Sequence, residues 1–364
     1  MKTNFKKLLY SGVTLMSIGV LAACSSTSSS TTTSSSTATS QSSVATTSSN
    51  STSSDSSSSS SSIDWSALPT TEVTLSNDGL KITEGGTYIL TGSTTAGVTV
   101  ETDANVRIIL AGAEISSSDT AAINVISADN VELELQDGTT NTVKDTSNHT
   151  DTNIEGAIHV EADLTITGNG SLTVEGNFQD GIVSTNDLVI DAGNITVTAV
   201  DDGIKSKNDT DTIKGYTTIT GGEITVTAGD DGIKAETALT IDGGTITVSE
   251  SLEALEGTNI TINGGTLDVY GSDDAINAAS TTSSDIFIKV TGGDLKVAVG
   301  SGDTDAFDAN GDIYISGGTI DVTAQSAFDF DGTAELTGGT VTVNGEQITQ
   351  ITAKGPGAGG HGGW

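Results

Sequence analysis

A short acidic motif recurs through the middle of the chain at nearly fixed spacing, and this repeat restricts the possible folds more than any other feature of the sequence. Asp-Asp-Gly-Ile-Lys occurs at 201–205 and again at 230–234, with looser copies on both sides. The small residue after the acid falls at positions 181, 203, 232, 254, 275 and 306, so the steps are 22, 29, 22, 21 and 31 residues. A repeat of about 22 residues with two insertions is typical of a stacked architecture.

The segments between the motifs alternate apolar and polar residues, as in Thr245–Val248 and Thr266–Val269. An alternation of period two predicts strands with one buried face, and the glycine-containing segments between them predict turns. Three short strands and three turns in about 22 residues make one coil of a parallel β-helix, whose strands pair with their equivalents above and below. We therefore predict an all-β solenoid with almost no helix. A β-sandwich is the main alternative, but it does not keep one motif at one corner through successive repeats.

The two ends of the chain have compositions of their own. Three lysines and an apolar run lead to Leu-Ala-Ala-Cys at 21–24, which resembles a bacterial lipobox. An ordinary signal peptide followed by an incidental cysteine is the alternative. Cys24 is the only cysteine of the chain, so its predicted use is as a lipid anchor. The predicted segments are a lipoprotein signal peptide at 1–23, a lipid-anchored, disordered Ser/Thr-rich linker at 24–62, the β-helix at 63–353 and a flexible Gly-rich tail at 354–364.

The charge of the chain restricts its partners. The sequence has 13 basic and 48 acidic residues, a formal net charge of −35. Removing the three lysines of residues 1–23 leaves 10 basic against 48 acidic side chains, a charge of −38. Nucleic acids and anionic membrane surfaces are therefore poor partners, and we predict no nucleic-acid binding. Cations, or anions bridged by cations, are better ones.

Stacked coils would bring the acids of the repeat together. Equivalent carboxylates in successive coils lie about 4.8 Å apart, where they repel one another unless a cation neutralises them. Calcium binds carboxylate oxygens, whereas zinc and copper sites usually need His or Cys, which do not accompany these acids. The alternative is that the acids only form polar turns, although Asn or Ser would then serve equally well. We predict Ca²⁺ as the cofactor, with ligands drawn from Asp180, Asp201, Asp202, Asp230, Asp231, Glu253, Asp273, Asp274 and Asp305.

Lys205 and Lys234 occupy the same position of the repeat, two residues after the glycine. Beside a metal ion, such lysines bind a sugar carboxylate or serve as the base of a lyase, whereas as ion pairs they only offset the acids. We favour the binding and structural roles over catalysis, and assign no catalytic residue unless the protein is a lyase. Aromatic rings near the repeat stack on sugars or cover the core. Those that we predict to contact sugar, with the two lysines, are Phe178, Tyr216 and Tyr270.

Over about residues 82–343 the chain resembles a family of bacterial surface proteins described as carbohydrate-binding-domain-containing. The resemblance rests on Glu-Gly-Gly-Thr-Tyr-Ile-Leu at 84–90 and Leu-Gln-Asp-Gly-Thr-Thr-Asn-Thr at 135–142. It rests above all on the Asp-Asp-Gly-Ile-Lys copies at 201–205 and 230–234. The family includes a clostridial β-helix that binds cellulose and acidic sugars.

This resemblance implies a right-handed parallel β-helix similar to calcium-dependent polysaccharide lyases, with calcium at the Asp-Asp-Gly corners. It also implies binding of polygalacturonate-like or cellulosic glycans. Leu-Glu at 252–253 and Thr-Asp at 304–305 depart from the Asp-Asp pattern, which leaves the number of filled sites open. The ligands that it implies are Asp201, Asp202, Asp230 and Asp231, with Lys205 and Lys234 beside them.

The sequence thus predicts a monomeric bacterial lipoprotein, held on the extracellular face of the cell membrane, that binds polysaccharide through a calcium-loaded β-helix. The enzyme alternative is a polysaccharide lyase that acts by β-elimination with Lys205 or Lys234 as the base. A further alternative is an adhesin or cell-wall spacer in which calcium only stabilises the fold.

Overall fold

The computed structural model of the chain describes residues 63–352, except for Asp209, Thr212 and Asp303. The predicted signal peptide at 1–23, Cys24, the linker at 24–62 and the tail at 354–364 lie outside these residues. The helix of the described part is a single 3₁₀ turn, Trp65–Ala67. None of its segments is a helix long and apolar enough to cross a membrane.

Parallel strands stacked on three faces form a β-solenoid of about 11 turns, so the predicted β-helix is confirmed. The first face follows the acidic motif and contains β2 Leu80–Ile82, β4 Val98–Glu101, β6 Ile123–Ser127, β9 Gly156–Val160, β12 Asp180–Ser184, β15 Ile204–Ser206, β22 Ile276–Ala278, β25 Asp305–Ala309 and β28 Ser326–Phe330. The second face contains β7 Asn130–Leu135, β10 Asp163–Thr167, β13 Leu188–Ile190, β16 Tyr216–Ile219, β23 Phe287–Val290, β26 Asp312–Ile315 and β29 Ala334–Leu336. The third face contains β8 Thr140–Lys144, β11 Ser171–Gly176, β14 Asn194–Ala199, β17 Glu223–Thr227, β19 Thr245–Glu250, β21 Thr266–Gly271, β24 Asp294–Val299, β27 Thr319–Thr323 and β30 Thr340–Val343.

Some strands continue through a corner or close an end of the solenoid. The first and second faces share β18 Ile233–Ile241 and β20 Leu255–Ile262, while the second and third share β3 Gly86–Thr94 and β5 Val106–Ser116. At the N-terminal end β1 Thr70–Leu75 pairs in parallel with β3, and at the C-terminal end β31 Glu346–Ile348 pairs antiparallel with β30. The antiparallel hairpin ends the parallel stack and occupies one edge of the last coil, which limits pairing with another chain.

The core is built from the alternation seen in the sequence. In β27 the pattern Thr-Ile-Asp-Val-Thr buries Ile320 and Val322 and leaves the other three residues exposed. Equivalent residues stack, as Ile182 on Ile204 and Ile204 on Ile233, so the interior consists of columns of aliphatic side chains. These columns fix the register, because a slip of one residue would expose every buried side chain of a strand.

The glycine that follows the acid at positions 181, 203 and 232 is required by packing rather than by backbone conformation. A Cβ atom on Gly203 would lie 2.3 Å from Cγ1 of Val226 and 2.6 Å from the carbonyl oxygen of Gly232. The Gly-Gly turns differ, because the second glycine there has positive φ, as at Gly244 with φ 89°. The two kinds of glycine therefore hold the corners in shape for different physical reasons.

Candidate functional site

The acids of the repeat form one column at the corner that precedes the first face. In each coil the residue two positions after the acid lies on the first face. Strand pairing aligns these residues from Ile182 to Phe307, so the acids before them are aligned as well. The column is bounded by Gly156 on one side and Ser326 on the other. We call this column the acid ladder; its members are Asp180, Asp202, Asp231, Glu253, Asp274 and Asp305.

One carboxylate oxygen of several ladder residues holds the next coil. Oδ1 of Asp180 accepts the backbone N–H of Asp202 at 3.1 Å, and Oδ1 of Asp202 accepts that of Asp231 at 3.0 Å. Oδ1 of Asp274 likewise accepts the N–H of Asp305 at 2.7 Å. These bonds draw the side chains of Asp180 and Asp202 into the corner, where both are buried. The ladder is therefore part of the fold as well as a collection of charges.

Two groups of three carboxylates lie at adjacent coils of the ladder. In the first group, one oxygen each from Asp180, Asp201 and Asp202 lie within 4.8 Å of one another, and Asp202, Asp230 and Asp231 form the second group by the same measure. Asp202 belongs to both. Of the other predicted ligands, none takes part in either group within the described part of the chain; they are Glu253, Asp273, Asp274 and Asp305.

Both predicted lysines point back against the ladder. Nζ of Lys205 lies 2.6 Å from Oδ2 of Asp202 and 3.7 Å from Oδ2 of Asp180. Nζ of Lys234 lies 2.6 Å from Oδ2 of Asp231 and also pairs with Glu256. Burial by itself lowers the pKa of Lys205, but Asp180 and Asp202 raise it by more, so the pKa stands above its ordinary value. The lysines are thus charged partners of the ladder.

The lysines do not satisfy the whole ladder. Oδ2 of Asp180 and Oδ1 of Asp231 are buried and accept no hydrogen bond from the described residues. Burial raises the pKa of Asp180 to about 7, and burial together with Glu256 raises the pKa of Asp231. Burial also raises the pKa of Asp201 and Asp230. The buried acids Asp180 and Asp231 therefore need a proton or a further cation. A set made only of carboxylate oxygens fits a hard cation such as calcium.

Two acids of the first face were missed in the sequence. Glu256 and Asp308 share the column of Lys205 and Lys234, and Glu256 pairs with Lys234. Burial, followed by the charge of Asp274, raises the pKa of Asp308 above its ordinary value. The signal was available, since both acids stand two residues after the small residue of their repeats.

The three predicted sugar-contacting aromatics lie apart from one another. Tyr216 begins β16 on the second face and is 37% exposed, whereas Tyr270 lies in β21 on the third face and is 36% exposed. Phe178 lies in the turn before β12 and stacks on His149, with ring centroids 4.4 Å apart. His149 in turn lies 2.9 Å from Asp145, measured from Nε2 to Oδ2. The structure therefore joins Phe178 to residues 145–155, an insertion between β8 and β9. The contacts of all three aromatic residues with sugar stay predictions.

Ion pairs fix two insertions at opposite ends of the first face. Lys207 pairs with Glu155 at 2.7 Å, which links the insertion at 206–215 to the one at 145–155. Lys214 pairs with Asp163 at 2.7 Å and with Asp187 at 3.0 Å. The insertions are thus held against the coils on which they lie. The one at 145–155 precedes first-face strand β9, and the one at 206–215 follows first-face strand β15.

His159 of first-face strand β9 is 1% exposed, and neither of its ring nitrogens makes a hydrogen bond to the described residues. Burial, assisted by Lys207, lowers its pKa to about 4, although Glu155 acts in the opposite direction. The unfolded chain therefore takes up a proton near pH 6.5 that the folded chain refuses, so folding stability falls as pH drops from about 6.5 to about 4.

We expect this one histidine to cost up to about 3 kcal/mol of stability at pH 4, since each pKa unit is worth about 1.4 kcal/mol. His159→Asn should remove that part of the pH dependence, because Asn124 already occupies the same column one coil earlier. Urea unfolding of both proteins at pH 7.5, 6 and 4.5 measures the difference. Parallel pH profiles for the two proteins would contradict the account.

Comparison with known proteins identifies a family for the chain. The model of a family described as carbohydrate-binding domain-containing protein matches residues 76–207 and 190–306, which together exceed half of the chain. The chain belongs to this family. The two matches overlap and cover both carboxylate groups and both lysines, so the candidate site lies within the residues that the family model matches.

Two relatives accompany this assignment. A carbohydrate-binding domain-containing protein of Acetivibrio thermocellus is 36% identical over 135 residues, which is 35% of this chain and 47% of the relative. The chain thus spans about half the length of that relative. A solved structure of a polysaccharide lyase-like protein from C. thermocellum, in a gadolinium derivative, aligns with 79% of this chain and 97% of its own. The identity is 25% and the TM-score is 0.45.

Proposed function

We propose that this family member binds an acidic polysaccharide through calcium ions held by its two carboxylate groups. The observation that carries the proposal is the sharing of Asp202 between the groups, which places five carboxylates at adjacent coils. The ligands would be Asp180, Asp201 and Asp202 in one coil pair, and Asp202, Asp230 and Asp231 in the next. A bound calcium ion supplies positive charge that a sugar carboxylate can share with the protein.

The overall charge supports a role for a cation. A chain with a formal charge of −35 repels a polyanion, and the two lysines of the ladder are already engaged by carboxylates. Asp201 and Asp230 are only half-buried, whereas Asp202 and Asp231 are buried. The outer acids would therefore hold the ion on the side from which a glycan approaches, while the inner acids anchor it to the coil.

Lysine and calcium should compete for the same oxygens. Lys205→Gln leaves Asp180 and Asp202 without their ammonium partner, and an unpaired buried charge is costly. Because the Lys205 side chain is 18% exposed, we expect a loss of only about 1–3 kcal/mol of stability in chelator. Calcium should restore the stability, and the variant should bind calcium more tightly than the unmodified protein. Thermal melting with and without calcium measures both effects.

Lys296→Gln is the matched control, since its 3.5 Å pair with Asp268 is exposed on both sides. An exposed pair contributes little, so this variant should melt like the unmodified protein. If Lys205→Gln instead weakened calcium binding, the lysine would be supporting the ion rather than replacing it, which contradicts the competition.

The structure argues against the lyase alternative at one point. A general base must be neutral near working pH, but without a bound metal ion the acids around Lys205 and Lys234 raise the pKa of both lysines. The test is electrophoresis of the full-length protein through gels containing polygalacturonate, with calcium and then with chelator, while absorbance of unsaturated uronates is followed in solution. Calcium-dependent retardation without absorbance supports binding. Rising absorbance would identify a lyase, and calcium-induced stabilisation without retardation would leave the ions with a structural role.

We further propose that the protein acts as a monomer on the extracellular face of a bacterial membrane, anchored by lipid at Cys24 and extended by the linker at 24–62. The support is the sequence of the N-terminal segment. Cys24→Ser should release the protein from washed membranes into the medium. Retention of the variant on membranes would contradict lipid anchoring.

A further inference from the structure

A polar cavity of about 270 Å³ lies at the end of the first-face strands remote from the acid ladder. Lys234 and Glu256 line its near side, and Ser280 and Thr281 of the insertion at 279–285 form one wall. Asn310, which follows β25, contributes from a later coil. The cavity therefore spans several coils and lies across Lys234 from the carboxylate groups.

The walls of the cavity are ordered by their own hydrogen bonds. The hydroxyl of Ser280 accepts the N–H groups of Thr282 at 3.2 Å and Ser283 at 3.0 Å, which holds the insertion in a turn. The hydroxyl of Thr258 donates to the carbonyl oxygen of Glu236 at 2.9 Å. The N–H of Asn310 donates to the carbonyl oxygen of Ala278 at 2.9 Å. The lining is thus a built surface, although the insertion is on the outside of the solenoid.

The chemistry of the lining favours a ligand rich in hydroxyl groups. Thr281 and Asn310 offer donors and acceptors from exposed positions, and the carboxylate of Glu236 offers acceptors. Small residues, among them Ala235 and Gly257, line the base of the cavity, and their short side chains leave its volume unfilled. No aromatic ring lines this part of the described chain, so recognition here would depend on hydrogen bonds rather than on stacking.

The charge of the lining excludes an acidic ligand. Its one ammonium group, on Lys234, is already shared by Asp231 and Glu256, while Glu236 and Glu256 are both acidic. A sugar carboxylate would meet a surface with excess negative charge and no free cationic partner. An uncharged sugar meets no such penalty. Sites for drug-sized molecules are roughly 300–1,000 Å³, so this smaller cavity suits about one sugar unit.

We infer that this cavity is a second carbohydrate subsite, which binds one uncharged sugar unit of a glycan without calcium. The inference rests on the proposed role in polysaccharide binding and deepens it. Neutral sugar would be recognised at the cavity, and acidic sugar at the carboxylate groups with calcium. The two activities are therefore separable by chelator and by substitution.

The test is calorimetric titration of the full-length protein with cellohexaose and with maltohexaose, both in chelator. At least one should bind, and Thr281→Trp should abolish that binding by filling the cavity. Asn310→Ala should weaken it at least severalfold by removing an amide. Thr282→Trp, on the exposed neighbouring position of the same insertion, is the matched control and should bind like the unmodified protein. None of the three should alter calcium-dependent retardation by polygalacturonate.

Absence of binding by both oligosaccharides in chelator would overturn the inference, and so would equal binding by Thr281→Trp and the unmodified protein. Equal loss in Thr282→Trp and Thr281→Trp would also overturn it, since the insertion rather than the cavity would then be responsible. Failure of calcium-dependent retardation alone would count against the carboxylate groups and leave the cavity standing. Thermal melting of all three variants separates loss of the subsite from loss of the fold.

Discussion

Replacing Asp202 with asparagine should abolish high-affinity calcium binding at both carboxylate groups. Asp202 is the one residue that belongs to both groups. Loss of an outer-shell partner already costs a metal roughly 10- to 100-fold in affinity, so loss of a shared ligand should cost at least that much. The asparagine oxygen can still accept the N–H of Asp231, so the corner should keep its shape. Calorimetric titration with calcium measures the change.

Asp268→Asn is the control for this substitution, because it removes the same charge from an exposed site whose nearest ion pair is 3.5 Å long. It should bind calcium like the unmodified protein. Two remaining sites of unchanged affinity in Asp202→Asn would contradict the assignment of the shared ligand. Melting temperatures in chelator should be compared, so that a lost site is not confused with a lost fold.

Replacing Phe307 with alanine should produce the largest loss of stability in the solenoid. Phe307 is 0% exposed and stacks on Phe328, with ring centroids 5.3 Å apart. Truncation of a buried phenylalanine typically costs about 3–5 kcal/mol, because the cavity left behind collapses only in part. In a stacked architecture each coil contacts only its neighbours, so the C-terminal coils should unfold first. Urea unfolding and amide hydrogen exchange measure the total loss and its location.

Val200→Ala is the comparison, since Val200 is 61% exposed and contributes little to the core. Its unfolding midpoint should stay within the range of surface substitutions, about 0.5 kcal/mol. If Phe307→Ala lowered the free energy of unfolding no more than Val200→Ala, the aromatic pair would not stabilise the last coils.

The fold and the acid ladder were predictable because one period governs both. The alternation of residues such as Ile320 and Val322 with exposed neighbours marks strands buried on one side. Successive copies of the motif are one coil apart. Aligning the small residues at 181, 203 and 232 therefore also aligns the acids before them. Insertions lengthen the spacing between copies of the motif, but the inserted residues form loops outside the solenoid, so the register of the strands is preserved.

The contacts of the site were harder to predict, because the period says which residues share a column but not where long side chains point. Lys205 turns back to Asp202, and Lys234 joins Asp231 to Glu256, because burial forces each ammonium group to find a carboxylate. The cavity beside Thr281 depends on how an aperiodic insertion folds. Such an insertion has no repeat from which its conformation can be read.

The measurement that tests the central claim most directly is calorimetric titration of the full-length protein with trigalacturonate, first in calcium and then in chelator. The account predicts binding in calcium, none in chelator, and none in either condition for Asp202→Asn. Binding of equal strength in chelator, or undiminished binding by Asp202→Asn, would show that calcium at the carboxylate groups does not carry the recognition of acidic polysaccharide.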